Sequence, residues 1–116
     1  MNKKILVTGG AGFIGGALIQ RLLKEENNTI YNIDKLTYKN GLTRISEFND
    51  NNRHKHYLID LTNKELLIDI FEQINPDAIF HLAAESHVDV SLVNPEKFMQ
   101  SNVVGTFNLL EATRIH

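Results

Sequence analysis

A glycine-rich segment near the N-terminus is the part of this sequence best suited to bind a ligand. Residues 8–15 read Thr-Gly-Gly-Ala-Gly-Phe-Ile-Gly and lie between an apolar run and a helical pattern. A glycine loop between a strand and a helix lets backbone approach a pyrophosphate, which free loop amides and the helix dipole then bind without a lysine. We therefore assign Gly9 to a tight turn, Gly12 to the pyrophosphate contact and Gly15 to close packing of the helix on the strand.

Asp34 is the acidic residue that completes this motif. It lies nineteen residues beyond Gly15 and directly follows a second apolar run, residues 29–33. A carboxylate at this place can accept hydrogen bonds from both hydroxyls of an adenosine ribose, and its charge repels the extra phosphate of NADP. The pattern predicts an NAD site, with the adjacent Lys35 as an opposing charge. The alternative is a solvated acid at a strand end with no ligand.

Short apolar runs alternate with helical patterns and must position these residues. Residues 4–8, 29–33, 55–59 and 77–83 are predicted strands, and helical patterns follow the first, third and fourth of them. This alternation predicts an α/β fold: a Rossmann-like parallel sheet with flanking helices, containing the first four strands, in the order 3-2-1-4, of a doubly wound sheet. The apolar strands predict burial of both sheet faces. The Asn-rich residues 47–53 predict a surface loop.

Three helices are predicted from apolar spacing and end signals. The first has an apolar face made of Phe13, Ile14, Ala17, Leu18, Leu22 and Leu23. The second begins at a capping box, in which Thr62 and Glu65 each satisfy an amide at the helix start. Its apolar face carries Leu66, Leu67, Ile70, Phe71 and Ile74. The third begins at Asn94 and Pro95, and its apolar face carries Phe98, Val103, Phe107 and Leu110.

The predicted strand order also identifies the loops beside the glycine segment. Strands one and four are neighbours where the winding direction reverses, so the loop after strand four faces the glycine loop across one crevice. In that loop, small Ala83 and Ala84 let backbone run beside a ligand, and Ser86 can reach toward a substrate. Asp60, after strand three, can accept a hydrogen bond from an adenine amino group. The alternative for Asp60 is an ordinary acid at a helix N-terminus.

Composition and the remaining polar residues exclude several functional classes. The 116 residues include 12 Lys and Arg, 14 Asp and Glu and no Cys, with a net charge of −2. We therefore expect no nucleic-acid or membrane partner, no disulfide and no Cys nucleophile, in a cytoplasmic protein. His54 and His56 form at most half of a metal site, so no metal is predicted. His81 is predicted to be a packed, hydrogen-bonded strand residue. Ser86 lacks the Gly-x-Ser-x-Gly elbow of a hydrolase.

Five stretches together resemble the sugar-nucleotide 4,6-dehydratases of the extended short-chain dehydrogenase/reductase superfamily, and within them the dTDP-glucose 4,6-dehydratases. They are residues 5–19, 32–38, 60–61, 76–91 and 101–114, so the resemblance covers nearly the whole chain. It implies NAD as the cofactor and a nucleotide sugar, foremost dTDP-glucose, as the substrate. It also implies internal hydride transfer from C4 to C6 with loss of water, and a homodimer of the full-length protein.

The resemblance also implies contacts for individual residues. It places Phe13 and Ile14 at the pyrophosphate, and Asp60 and Leu61 at the adenine. Ser86 is implied to contact both the cofactor and the sugar nucleotide. The implied contacts to the ribose are Asp34, Lys35, Leu36 and Thr37. Those on the nicotinamide side are Leu82, Ala83, Ala84 and Glu85, and Ser101 is implied to lie near the cofactor.

The chain departs from this family in two substitutions and in its extent. Lys39-Asn40-Gly41 stands where the family usually reads Ala-Gly-Asn, and Val90 stands where many members have Arg. The family's catalytic Tyr-x-x-x-Lys pair and Thr-Asp-Glu segment are absent, and Tyr31 with Lys35 matches the first spacing by chance. We therefore expect residues 1–116 to be the N-terminal part of an NAD-binding domain, without catalytic residues or substrate domain and inactive alone. An NAD-dependent epimerase or decarboxylase and a non-catalytic dinucleotide-binding module remain alternatives.

Overall fold

The computed structural model describes residues 2–35, 51–83 and 95–116, which form two compact units. The first unit contains the described parts of Met1–Leu58 together with Pro76–Leu82. The second contains Ile59–Asn75 and the described parts of Ala83–His116. Within the described ranges, no helix is long and apolar enough to cross a membrane.

The first unit is a parallel four-stranded sheet with one helix. Its strands are β1 (Lys3–Thr8), β2 (Asn28–Ile33), β3 (His54–Tyr57) and β4 (Ala78–His81), and α1 (Phe13–Leu23) connects β1 to β2. The strands are hydrogen-bonded in the order β3-β2-β1-β4. The α/β class and the strand order are therefore confirmed. β3 ends two residues earlier than predicted because its partner β2 ends at Ile33, opposite Tyr57.

The buried face of α1 differs from the predicted apolar face. Gly15, Gly16, Ile19 and Leu23 are buried, whereas Phe13, Ile14 and Ala17 are exposed. Ile19 and Leu23 pack in one cluster with apolar residues of β1 and β2, namely Ile5, Val7 and Ile30. Helices approach a sheet most closely where they carry no side chain, so the two glycines determine the buried face. The apolar pattern is therefore confirmed for Leu23, and Leu18 and Leu22 are half-buried, but it is wrong for the three exposed residues. It missed both glycines because it gives glycine no weight.

Burial of β4 also differs from the prediction. β4 is one edge of the described sheet, and along it Ala78 and Phe80 are exposed while Ile79 and His81 are half-buried. The expectation that both faces of every strand are buried is therefore wrong for this strand.

The second unit is helical. It contains α2 (Lys64–Ile74), α3 (Pro95–Met99), a π-helical segment (Gln100–Val104) and α4 (Gly105–Ile115), and α2 packs against α4. The predicted capping box is wrong: Asn63 is the N-cap of α2, and its side chain accepts a hydrogen bond from the amide of Leu66 at 3.2 Å. The hydroxyl of Thr62 instead donates to Asp60 Oδ1 at 2.8 Å, so it is not available to cap the helix.

The face of α4 that packs in this unit is not the predicted one. Its buried residues are Gly105, Asn108, Leu109 and Ala112. Of the predicted apolar residues, Val103, Phe107 and Leu110 are 58%, 55% and 64% exposed. The ammonium group of Lys64 lies 5.4 Å from the centre of the Phe107 ring. Small residues again mark the packed face. Asn94 and the side chain of Phe98 lie outside the described residues.

Candidate functional site

The glycine loop between β1 and α1 begins with a turn that requires glycine. Gly9 has a φ of 77°, in the left-handed region that side chains disfavour. Its amide donates to the carbonyl of Ile33 at 3.0 Å, and its own carbonyl accepts the amide of Gly12 at 3.0 Å. These bonds connect the loop to the end of β2 and close the turn before α1 begins.

Two further glycines are required for packing. A Cβ atom at Gly15 would lie 2.1 Å from the carbonyl oxygen of Gly9, and one at Gly10 would lie 2.3 Å from Asn32 Oδ1 and 2.4 Å from Ile19 Cδ1. Neither position has room for a methyl group. The sequence analysis assigned close packing to Gly15 but gave no role to Gly10.

Gly12 is different from the other three glycines. Its backbone is extended, with φ −77° and ψ 173°, which any residue can adopt. Among the described atoms outside its chain neighbours, a Cβ here would contact only the carbonyl oxygen of Gly9, at 3.2 Å. The conformation therefore does not require glycine at this position, and a Cβ would need a shift of the Gly9 carbonyl by a few tenths of an ångström. Gly12 lies at the N-terminus of α1, and its Cβ position meets no side chain of the described residues.

Two polar side chains at the end of β2 hold the loop. Asn32 Oδ1 accepts the amide of Gly10 at 2.8 Å, and Asp34 Oδ2 accepts the amide of Ala11 at 2.9 Å. Asn32 is fully buried and Asp34 is 7% exposed. The alternative that Asp34 is a solvated acid is therefore wrong. The sequence analysis missed Asn32, although a polar residue two positions before Asp34 in an apolar strand was a signal.

These bonds change which amides can bind an anion. We predicted free amides along the loop, but those of Gly10, Ala11 and Gly12 donate to Asn32, Asp34 and Gly9, respectively. The first hydrogen bond within α1 runs from the amide of residue 16 to the carbonyl of residue 12, at 2.9 Å. The amides of the first turn, at residues 13–15, lie at the positive end of the helix dipole, which favours an anion.

Phe13 and Ile14 lie in that first turn of α1. They are 80% and 70% exposed, the most exposed large apolar side chains among the described residues. Exposure of two adjacent apolar side chains at a helix N-terminus is compatible with contact to a bound molecule.

The ends of β1 and β4 lie side by side at the same edge of the sheet. The amide of Leu82 donates to the carbonyl and to the hydroxyl oxygen of Thr8, both at 3.1 Å. The Thr8 hydroxyl also forms a hydrogen bond with His81 Nδ1 at 2.6 Å, and burial lowers the pKa of His81. His81 is therefore a packed, hydrogen-bonded strand residue, as predicted. Leu82 lies next to the strand end from which the glycine loop starts.

The Asp60–Leu61 pair makes hydrogen bonds within the second unit. Asp60 Oδ1 accepts the amide and the hydroxyl of Thr62, at 3.0 and 2.8 Å. Leu61 is buried, and its carbonyl accepts the side-chain amide of Asn108 at 2.9 Å. Asp60 thus shapes the turn before α2, the structural role that its alternative interpretation predicts. Asn108, a buried residue in α4, had no signal in the sequence.

The remaining predicted contacts are described only in part or lie outside the described residues. Ala83 is half-buried, and Lys35 is half-buried at the end of β2. Ser101 is in the π-helical segment, and its side chain lies outside the described residues. The predicted contacts that lie wholly outside the described residues are Leu36, Thr37, Ala84, Glu85 and Ser86.

The histidines of β3 are neutral at neutral pH. Burial, and then the charge of His56, lower the pKa of His54 to about 4. Burial lowers the pKa of His56, and the charge of Asp34 partly opposes that effect. Among the residues that the structure describes, no three His, Asp or Glu side chains are grouped to hold a metal ion.

Comparison with known proteins identifies the family to which the chain is similar. The model of the family described as GDP-mannose 4,6 dehydratase matches residues 6–116. The dTDP-glucose 4,6-dehydratase of Neisseria meningitidis serogroup B is 47% identical over 114 residues, covering 98% of this chain and 32% of that relative. The chain spans about a third of the length of the curated relatives it matches.

Solved structures of two related enzyme types resemble the described fold. The dTDP-glucose 4,6-dehydratase of Bacillus anthracis, crystallised with NAD, has a TM-score of 0.84 and 32% identity, covering 97% of this chain and 34% of that one. The UDP-Glc/GlcNAc 4-epimerase of Campylobacter jejuni has a TM-score of 0.89 and 33% identity, covering 98% of this chain and 34% of that one.

Proposed function

The chain belongs to the GDP-mannose 4,6-dehydratase family, and on this premise we propose that it is the NAD-binding portion of a sugar-nucleotide 4,6-dehydratase. The observation that carries the proposal is the position of Gly12, whose conformation does not require glycine and whose Cβ would contact, among the described residues, only the carbonyl oxygen of Gly9. This position adjoins the N-terminus of α1, where the helix dipole favours the pyrophosphate.

The residues of the first unit have distinct roles in this proposal. Gly12 admits the pyrophosphate, and the first turn of α1 binds its charge. Asp34 is oriented by its hydrogen bond to the Ala11 amide at 2.9 Å, so that its carboxylate can accept the ribose hydroxyls and disfavour NADP. The exposed Phe13 and Ile14 cover the bound dinucleotide.

The other contacts rest on the family resemblance. We propose that Asp60 and Leu61 contact the adenine and that Ser86 also contacts the sugar nucleotide. The remaining proposed cofactor contacts are Lys35, Leu36, Thr37, Leu82, Ala83, Ala84, Glu85 and Ser101.

The proposed reaction of the full-length protein converts dTDP-glucose to dTDP-4-keto-6-deoxyglucose. Bound NAD would supply a hydride acceptor for C4 of the sugar and, after loss of water across C5 and C6, a hydride donor for C6 of the same molecule. The substrate is suggested by the dTDP-glucose 4,6-dehydratases among the relatives. The residues of this chain contribute by binding and orienting the hydride acceptor.

We propose that residues 1–116 are the N-terminal part of the NAD-binding domain in a longer, cytoplasmic protein, which supplies the catalytic residues and substrate domain. Coverage of about a third of the relatives supports this extent. The exposed residues of edge strand β4, including Phe80, offer a surface for additional structure. Met99, Val103, Phe107 and Leu110 are 55–64% exposed and support a homodimer of the full-length protein.

Calorimetric titration of the chain with NAD and NADP tests the cofactor assignment. We expect NAD to bind more tightly than NADP, and Gly12→Val to abolish NAD binding because its side chain occupies the ligand space. Unfolding of the variant is measured as a control for the fold. Equal or tighter binding of NADP, or wild-type NAD affinity in Gly12→Val, would contradict the assignment.

Isotope transfer in the full-length protein tests the reaction. dTDP-glucose deuterated at C4 should give a 4-keto-6-deoxy product with the label at C6, without net formation of NADH. Mass spectrometry locates the label and shows whether the C6 oxygen is lost. Retention of that oxygen would exclude the dehydratase, and strong preference for a GDP sugar would reassign the nucleotide base.

An epimerase is a second candidate, favoured by the likeness of the fold to the Campylobacter jejuni 4-epimerase. It would return the label to C4 and leave the C6 hydroxyl in place. A decarboxylase would instead release carbon dioxide from a uronic acid substrate, and a non-catalytic binding module would leave every sugar nucleotide unchanged.

A further inference from the structure

Asn32 lies between the glycine loop and a histidine of the neighbouring strand. Its Oδ1 accepts the Gly10 amide at 2.8 Å, and its Nδ2 lies 3.0 Å from His56 Nδ1. Gly10, Asn32 and His56 all belong to the first unit. We call these two hydrogen bonds the Asn32 relay.

The chemistry of the three groups determines every proton in the relay. A backbone N–H only donates, so the atom of Asn32 that faces Gly10 must be the oxygen. The amide nitrogen of Asn32 therefore faces His56, and it also only donates. His56 Nδ1 must accept, which requires a neutral imidazole with its proton on Nε2.

Protonation of His56 is incompatible with this arrangement. With protons on both ring nitrogens, Nδ1–H and the amide N–H₂ of Asn32 would be two donors facing each other. Rotation of the Asn32 amide would remove that conflict but would turn its nitrogen toward the Gly10 amide, which is also a donor. One of the two hydrogen bonds must therefore break.

The surroundings of His56 favour the neutral form. Burial is the larger influence on the pKa of His56 and lowers it, and the carboxylate of Asp34 on β2 is a weaker influence that raises it. His54, on the same strand, interacts with His56 and is itself neutral because its pKa is about 4. Both hydrogen bonds of the relay can therefore form at neutral pH, and one of them is lost when acid protonates His56.

We propose that His56 is a positioning residue for the dinucleotide, acting through Asn32 on the Gly10 amide, and that protonation of His56 releases the glycine loop. This inference rests on the proposed NAD binding. Gly10 follows Gly9, whose carbonyl accepts the Gly12 amide. Movement at Gly10 therefore changes the turn that positions Gly12 at the start of α1.

Two substitutions separate the hydrogen bond from the charge. His56→Asn places an amide oxygen where Nδ1 lies, so it preserves an acceptor for Asn32 and cannot be protonated. His56→Leu removes the acceptor. Unfolding curves and amide spectra identify any variant that has lost the fold, and His56→Asn then remains as the matched control.

NMR of the ligand-free chain tests the relay without any cofactor. In the wild type, the Gly10 amide resonance should shift with the same midpoint as the ring resonances of His56, below the ordinary histidine pKa of 6.5. In His56→Asn this shift of Gly10 should disappear. The relay would be refuted if the Gly10 resonance did not shift as His56 titrates, or if it still shifted in His56→Asn.

Calorimetry against pH tests its effect on binding. NAD affinity of the wild type should fall about fivefold once His56 is protonated, as expected for loss of one hydrogen bond. His56→Asn should bind with wild-type affinity at neutral pH and lose this acid dependence, while His56→Leu should be about fivefold weaker at neutral pH. An unchanged pH profile in His56→Asn would refute the positioning role. If no NAD binds at any pH, the proposed function fails, whereas the NMR titration still decides the relay.

Discussion

Substitution of Gly10 and Gly12 by alanine should have opposite consequences for folding and binding. A Cβ at Gly10 would lie 2.3 to 2.5 Å from atoms of Asn32 and Ile19. A Cβ at Gly12 would lie 3.2 Å from one carbonyl oxygen. The two glycines are two residues apart in one loop, so each variant is the matched control for the other.

The expected magnitudes follow from these distances. Gly10→Ala overpacks a buried site, at a cost of about 1–3 kcal/mol. Displacement of Asn32 also leaves the Gly10 amide without its acceptor, at a further cost of about 1–3 kcal/mol. The midpoint of thermal unfolding should therefore fall by on the order of 10 °C or more. Gly12→Ala needs a shift of only a few tenths of an ångström, and its reduced unfolded-state entropy offsets this by about 0.4–1 kcal/mol.

Urea unfolding and calorimetric titration with NAD are the assays. Gly12→Ala should keep the free energy of unfolding within about 1 kcal/mol of the wild type, yet bind NAD at least about tenfold more weakly, a loss of about 1.4 kcal/mol. Gly10→Ala should lose stability. Full NAD affinity in Gly12→Ala would refute the assignment of its space to the ligand. Equal destabilisation by both substitutions would refute the packing argument.

Three further predictions concern charge and hydrogen bonding. Burial holds the pKa of His54 at about 4 in the folded chain, so the unfolded chain binds a proton more readily than the folded chain. The free energy of unfolding should therefore fall by up to about 3 kcal/mol as pH drops from 6.5 to 4. Urea curves of wild type and His54→Asn check this, and equal pH slopes would contradict it. Asp34→Asn keeps an acceptor for the Ala11 amide, so the variant should fold normally. In calorimetry it should bind NADP and NAD with similar affinity, and a retained preference for NAD would show that Asp34 is not the source of that preference. Arg53 donates to three carbonyls within residues 23–28 at 2.8 to 3.0 Å. Arg53→Ala should lower the free energy of unfolding by about 1.5–3 kcal/mol because these hydrogen bonds are lost. An unchanged urea midpoint would show that water replaces them.

Local patterns in the sequence determined the sheet and the outline of the site. β1, β2 and β4 are short, largely apolar runs, and the helical patterns after the first and third predicted strands indicate parallel crossovers, so the order β3-β2-β1-β4 could be predicted. The glycine loop and Asp34 were found because their separation is fixed by one strand–helix–strand unit. Both inferences depend on spacing along the chain.

Apolar spacing predicted the buried face of α2, where Leu67, Ile70, Phe71 and Ile74 are buried, but tertiary structure decided which apolar residues of α1 and α4 are exposed. Apolar spacing favoured Phe13 and Ile14 on α1, and Phe107 and Leu110 on α4, yet all four are more than half exposed. The buried faces contain glycine and alanine, because close approach of two elements depends on small side chains. The hydrophobicity of single residues does not predict where two elements approach closely.

Tertiary structure also decided how the polar groups are paired. Asn32 is separated from Gly10 by 22 residues and from His56 by 24 residues, yet it joins both. Parallel pairing of β2 with β3 aligns Asn32 with His56, and the turn at Gly9 brings the Gly10 amide to its oxygen. Hydrogen bonds need donor and acceptor within about 3 Å, and only the folded chain establishes such distances between residues so far apart in sequence.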